Sequence, residues 1–138
     1  MTASNAISSP IGGPQASVCV LVVDDSDSFR RALGRALRAR GFRVLEAYSV
    51  ASALWALEGG RVDLVVTDLA MEHGTGLDLI RDASTSYPRT PCILLSGSVS
   101  SEDAAAALRL GAVRVLTKDG DARTLFRAVE DALSRGYS

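Results

Sequence analysis

Val18-Cys19-Val20-Leu21-Val22-Val23-Asp24-Asp25 is six uninterrupted apolar residues running straight into two adjacent carboxylates. A strand buried on both faces of a parallel sheet is a near-continuous apolar run, and nothing in such a strand tolerates an acid until the chain leaves the core. The motif repeats with variation. Val62-Asp63-Leu64-Val65-Val66-Thr67 ends on Asp68, Pro91-Cys92-Ile93-Leu94-Leu95 on Ser96-Gly97, and Ala112-Val113-Arg114-Val115-Leu116-Thr117 on Lys118. If these runs are parallel strands of one sheet, all four polar ends open on the carboxyl edge, where open α/β sheets bind their ligands. Three acids, a hydroxyl and an amine would then converge.

The segments between the runs support this. After the first strand, Phe29, Leu33, Ala36 and Leu37 recur at helical spacing while Arg30, Arg31, Arg35, Arg38 and Arg40 fill the other face, and Gly41 closes the helix. Phe42 to Tyr48 alternates as a strand, Ser49 caps a helix over Val50 to Leu57, and Gly59-Gly60 stops it. Strand three is expected over Arg61 to Thr67. A polar loop through His73, Gly74 and Gly76 leads to a helix from Leu77 to Tyr87, ended by Pro88. Ser100-Ser101-Glu102-Asp103 opens an alanine-rich helix to Leu110, and Asp121 caps a last helix with Leu125, Val129, Ala132 and Leu133 on its apolar face. Five strands alternating with five helices imply an α/β fold with a parallel sheet covered on both faces.

At 138 residues the chain is expected to be one domain, and its net charge of −1, from 15 basic and 16 acidic residues, carries no electrostatic footprint for nucleic acid or an anionic membrane. No apolar run reaches membrane-spanning length and no signal peptide is evident, so a soluble cytoplasmic protein is expected. Residues 1–17, rich in Ser, Pro, Gly and Ala, have the composition of a disordered arm, with the domain over residues 18–135 and a short tail over 136–138. Cys19 and Cys92 lie inside strand runs and are expected to be buried structural thiols.

Asp24, Asp25 and Asp68 supply hard oxygen ligands of the kind Mg²⁺ takes, one or two carboxylates completed by waters and phosphate oxygens. Taken singly each residue has a plain structural role: Asp25 and Ser26 as helix caps, Asp68 as a solvated acid, Lys118 as an ion-pair partner, Ser96 as a turn residue. Their joint placement on strand ends favours a site.

These residues resemble the receiver domain of two-component response regulators, in the chemotaxis-regulator mould, over Val18 to about Ser134. Asp24-Asp25 is similar to the family's acid pair, Asp68 in Thr67-Asp68-Leu69 to its phosphoacceptor, Ser96 to its switch hydroxyl and Lys118 to its lysine. The resemblance implies a flavodoxin-like fold, a five-stranded parallel sheet of order 2-1-3-4-5. It also implies Mg²⁺ held by Asp25, Asp68 and the backbone carbonyl of Ala70, with Asp24 holding a metal-bound water. Phosphoryl transfer from a histidine kinase or histidine phosphotransfer protein follows, with the chain catalysing its own phosphorylation and dephosphorylation rather than acting as an enzyme on other substrates. A downstream protein partner is implied, with no nucleic acid or membrane, the chain being monomeric or weakly dimeric. No output segment is expected beyond Arg135, so the signal would leave by contact, through the fourth helix, fifth strand and fifth helix.

The chain departs from the family pattern at several places. Val115 stands where an aromatic switch residue is common, and Asp119 follows the lysine where proline in a cis peptide is usual; a cis bond before a non-proline residue costs about 2.5–4 kcal/mol, so trans is expected. Glu72 replaces a proline, and Gly74-Thr75-Gly76 adds backbone freedom. His73 is expected to be a solvated loop residue and Trp55 to pack on the second helix. Two alternatives remain: a receiver-like interaction module independent of phosphorylation, and a Mg²⁺-dependent phosphohydrolase using Asp25 as nucleophile with Asp27 two positions on.

Overall fold

The computed structural model describes residues 18–136, so the arm expected over residues 1–17 and the last two residues lie outside the described residues. Within them β1 (Cys19–Val23), α1 (Asp27–Ala39), β2 (Arg43–Ala47), α2 (Val50–Glu58), β3 (Leu64–Thr67), α3 (Gly76–Ser86), β4 (Cys92–Ser96), α4 (Ser101–Leu110), β5 (Ala112–Thr117) and α5 (Ala122–Gly136) alternate. All strand pairs are parallel and the sheet order is β2-β1-β3-β4-β5, as expected.

Strand periodicity divides the core into two layers. Val20, Val22, Leu64, Val66, Ile93 and Leu95 face one side, packing with Leu33 and Leu37 of α1 and Ala128, Val129, Ala132 and Leu133 of α5. Leu21, Val23, Val65, Cys92 and Leu94 face the other, against Ala53 and Leu57 of α2, Leu79, Ile80 and Ala83 of α3, and Ala107 of α4. Alternate side chains of a strand point to opposite faces, so β1 is apolar throughout, and β3 and β4 up to Thr67 and Ser96 at their ends, because both faces are covered. Arg40, the C-cap of α1, stacks its guanidinium 4.0 Å from the Phe126 ring of α5, tying the two helices of the first layer together.

Several details differ from expectation. Strand three begins at Leu64 rather than Arg61, because Asp63 engages the backbone of Cys19 with both its amide (2.8 Å to the carbonyl) and its carboxylate (2.8 Å from the amide), and regular pairing starts only beyond it. Trp55 does not pack: α2 buries Ala53 and Leu57, four apart on one face, and places Trp55 between them on the opposite side, 79% exposed. Arg30, expected on the outer face of α1 with the other arginines, is buried at 7% exposure. It lies three and seven residues before Leu33 and Leu37, on their stripe. No described peptide bond is cis, so the Lys118–Asp119 bond is trans as expected. Among the described residues no helix is long and apolar enough to cross a membrane.

Both cysteines are buried. Burial pushes the Cys92 thiol up to about 12 and also raises Cys19. An unfolded thiol ionises near 8.5. Cys92 therefore keeps its proton in the fold where the unfolded chain has lost it, and its contribution to stability, complete below about pH 8.5, is lost as pH rises towards about 12. Between roughly pH 9 and 11 this group should cost about 1.4 kcal/mol of unfolding free energy per pH unit. Urea unfolding of wild type and Cys92→Ala over that range checks it. The wild type should fall more steeply, and parallel curves would count against the assignment.

Candidate functional site

The sheet register delivers the polar residues to one edge. Val23 pairs with Ala47 on one side and Thr67 on the other, and the last ladder bonds reach the acids themselves: the Asp24 amide donates to the Ala47 carbonyl at 3.0 Å and the Asp68 amide to the Val23 carbonyl at 2.9 Å. On the far side Ser96 pairs with Thr117, and the Lys118 amide donates to the Ser96 carbonyl at 2.8 Å. One carboxylate oxygen from each of Asp24, Asp25 and Asp68 lies within 4.8 Å of the others. Asp24 and Asp68 are buried at 2% and 9% exposure while Asp25 is exposed, and Ser96 is buried at the end of β4.

Each carboxylate has one oxygen pinned by a backbone amide. Asp24 Oδ1 accepts from Ser26 at 2.9 Å, Asp68 Oδ1 from Leu69 at 2.8 Å, and Asp25 Oδ2 from Glu72 at 2.9 Å. The remaining oxygens of the buried pair face the ammonium of Lys118, whose Nζ stands 2.7 Å from Asp24 Oδ2 and 3.6 Å from Asp68 Oδ2. A buried carboxylate is tolerable only when paired and hydrogen-bonded, and here every one is. The same Nζ lies 4.2 Å from the centroid of the Phe29 ring.

Local sequence sets this geometry. Ser26, not Asp25, caps α1, its hydroxyl accepting from the Phe29 amide at 3.4 Å, which leaves Asp25 free to face the acid cluster. Thr75 caps α3, its hydroxyl accepting from the Asp78 amide while its own amide donates to the Asp78 carboxylate, and Gly74 takes the left-handed φ of 90° that a turn there requires. Gly76 serves space rather than freedom. Its amide donates to the Leu69 carbonyl at 2.7 Å, and a Cβ there would overlap the Asp68 carbonyl oxygen and meet Leu94 Cδ1 at 3.1 Å. Ala70 is exposed in the same loop, bridged to Thr75. His73 is exposed and outside the acid cluster, as expected.

Three contributors escaped the sequence. Arg30 donates to the Asp24 carbonyl at 2.9 Å, to Asp27 Oδ1 at 2.7 Å and to Glu46 Oε1 at 3.1 Å, clamping the end of β1 to α1 and β2. Burial alone would lower its pKa, but the two carboxylates outweigh that and hold the guanidinium above its usual value; Arg30 in turn holds Asp27 below the usual carboxylate range. Its place on the Leu33 and Leu37 stripe was a readable signal. The contacts from Phe29 and the Glu72 amide had none, since both depend on where loops lie. Chemically, three hard oxygens beside an ammonium form a pocket that suits a divalent cation and an incoming oxyanion together.

A family model described as the response regulator receiver domain matches residues 20–130. The transcriptional regulatory protein GlrR of Escherichia coli (strain K12) is 36% identical over 116 residues, covering 84% of this chain and 26% of GlrR. The chain spans between 26% and 63% of the length of such curated relatives. Among solved structures, a response regulator receiver protein from Pseudomonas putida is 35% identical with a TM-score of 0.78, covering 83% of this chain and 96% of that one. A response regulator from Burkholderia pseudomallei, solved with a phosphorylated aspartic acid, a calcium ion and citrate, is 27% identical with a TM-score of 0.78, covering 86% and 69%. With the strand order in agreement, the chain belongs to the response regulator receiver domains of two-component signalling.

Proposed function

We propose that this domain accepts a phosphoryl group on Asp68 from the phosphohistidine of a histidine kinase or phosphotransfer protein, and that it signals by altered protein contacts, alone or as part of a longer chain. The observation that carries the reading is the placement of one lysine ammonium between two buried carboxylates, beside a third that is open to solvent. The phosphorylated aspartic acid of the Burkholderia pseudomallei relative supports it.

Asp68 is the acid suited to attack. Its Oδ1 is held by the Leu69 amide, which fixes the plane of the carboxylate and leaves Oδ2 for phosphorus. An oxygen–phosphorus bond forms, the phosphorus–nitrogen bond of the donor breaks, and the imidazole keeps the electron pair and is protonated from solvent. Lys118 offsets charge on the transferring group. Three carboxylates fit a hard divalent cation such as Mg²⁺, which would be held by Asp25, Asp68 and the Ala70 carbonyl, with Asp24 holding a bound water. When bound it supplies neutralisation between two anions that otherwise repel. The Ser96 hydroxyl would donate to the phosphoryl oxygens, a charge-assisted bond worth about 1.5–3 kcal/mol. That biases a conformational balance without carrying it from 1:99 to 99:1, which needs about 5.5 kcal/mol; partner binding supplies the remainder.

Val115 is partly buried, has a stiff χ1 and is too small to report the site by swinging a ring. The mobile element in this reading is α4, where Ala107 is the one buried residue and Leu108 is 52% exposed. Val115 and Asp119 also favour a second reading, partner contact without phosphorylation.

In the presence of Mg²⁺ and a small phosphodonor, intact mass should rise by one phosphoryl group in wild type and not in Asp68→Asn. A wild type that stays unmodified even with an active kinase would leave only the second reading. In a calorimetric titration with Mg²⁺, Asp25→Ala should weaken binding more than Asp24→Ala, because the first removes a direct ligand and the second an outer contact; a reversed order would refute the division of roles. Hydrogen exchange between residues 96 and 111 should change on phosphorylation, whereas Val115→Ala should alter partner binding only slightly.

A further inference from the structure

Lys118 is the only lysine among the 15 basic residues of the chain, so the charge it supplies is delivered by a point ammonium on a long flexible stem. Its side chain is 21% exposed, so a path to solvent is open. Two of the groups holding the ammonium are carboxylates, Asp24 at 2.7 Å and Asp68 at 3.6 Å. Both belong to the cluster suited to a divalent cation. A bound cation repels the ammonium and competes for those oxygens, so both contacts weaken when the site fills. The third group is the Phe29 ring, with its centroid 4.2 Å from Nζ. The face of an aromatic ring attracts a cation within about 6 Å through its quadrupole, and a ring is neither titrated nor ligated by a hard metal.

We propose that Phe29 is a positioning residue for Lys118, its ring face keeping the ammonium beside Asp68 when a divalent cation engages the carboxylates. The inference rests on the phosphoryl-acceptor function proposed above and adds to it a residue outside the acid cluster. The placement of the ring is set by elements already described. The Phe29 amide donates to Ser26 Oγ in the cap of α1, and the ring packs partly buried against the core layer of α1 and α5. On its other side lies a cavity of about 300 Å³ shared with Leu33, Leu95, Leu116, Lys118 and Leu125. Thr117, Asp121 and Thr124 also line it, and the carboxylates in ion-pair contact with the ammonium are Asp24 and Asp68. Leucine at position 29 would preserve an apolar surface and remove the electrostatic attraction.

The test uses the full chain in three forms: wild type, Phe29→Leu, and a protein carrying 3,4,5-trifluorophenylalanine at position 29, which keeps the shape of the ring while withdrawing the negative charge from its face. With acetyl phosphate and Mg²⁺, followed by intact mass, the phosphorylation rate should fall about two- to thirtyfold from wild type to Phe29→Leu, the span of cation–π contacts from exposed to desolvated sites. The trifluoro protein should be slowed in the same direction. A merely space-filling role would leave the trifluoro protein at the wild-type rate, and that result overturns the inference. A second readout needs no turnover. With a single lysine, ¹³C labelling at the ε-carbon gives one methylene signal, which in wild type should be shifted upfield by the ring current and remain so when Mg²⁺ is added. In the trifluoro protein Mg²⁺ should return it towards the free-lysine position. A wild-type signal at the free-lysine position, before or after Mg²⁺, also overturns the inference. A wild type that takes up no phosphoryl group from acetyl phosphate or from an active histidine kinase overturns the function proposed above instead, and the methylene signal still decides where the lysine is held.

Discussion

Covering a parallel sheet on both faces leaves polar side chains almost nowhere to go but its ends. β1, β3 and β4 are buried along their whole length, with helices α1 and α5 on one side and α2, α3 and α4 on the other. Asp24, Asp68, Ser96 and Lys118 are consequently strand termini or the residue just beyond one, and Asp25 follows one position later. Parallel register then brings those termini together, since each strand runs in the same direction and ends at the same edge. The site is a by-product of burial, concentrated where hydrophobic packing stops.

That concentration creates an electrostatic problem. Three carboxylates meet within 4.8 Å, and like charges this close destabilise one another, the more so out of water. The chain answers with one ammonium and with backbone amides rather than with further basic side chains. Three N–H groups, from Ser26, Leu69 and Glu72, each hold one oxygen. Amides fix orientation without adding full positive charge, so the cluster stays anionic enough to attract a cation. Among the described residues Lys118 alone is seen to bring positive charge to the buried carboxylates, and its position therefore matters more than that of any surface arginine.

Support for this geometry extends one layer outward. Arg30 spends its donors on the Asp24 carbonyl, Asp27 and Glu46, joining the end of β1 to the edge strand β2. Gly76 lets the start of α3 press against the backbone of Asp68. Both residues are ordinary by composition, one of many arginines and one of many glycines, and both hold an acid from behind. By contrast α4 is alanine-rich and little buried. A rigid acid cluster flanked by a loosely held helix is the arrangement in which a change at the site is most readily relayed as movement at the surface.

The alternation of strands and helices, the strand order through the family resemblance, and the meeting of Asp24, Asp25, Asp68, Ser96 and Lys118 at one edge were all legible in the chain, because continuous apolar runs that end on polar residues and alternate with helical segments are the local mark of strands buried in a parallel sheet. Tertiary structure decided what depends on neighbours distant in sequence. Arg30 looked like one more solvated arginine until Glu46 and the end of β1 were brought around it. Trp55 looked set to pack on the second helix, and α2 had already filled its inner face with Ala53 and Leu57. Strand three was cut short by a carboxylate reaching back to Cys19, 44 positions away. The Phe29 ring came to lie against Lys118 through a contact between α1 and the loop after β5. Apolar periodicity is a local property and survives in the sequence; pairing of polar groups across elements is set by loop paths and side-chain directions, which exist only once the chain has folded.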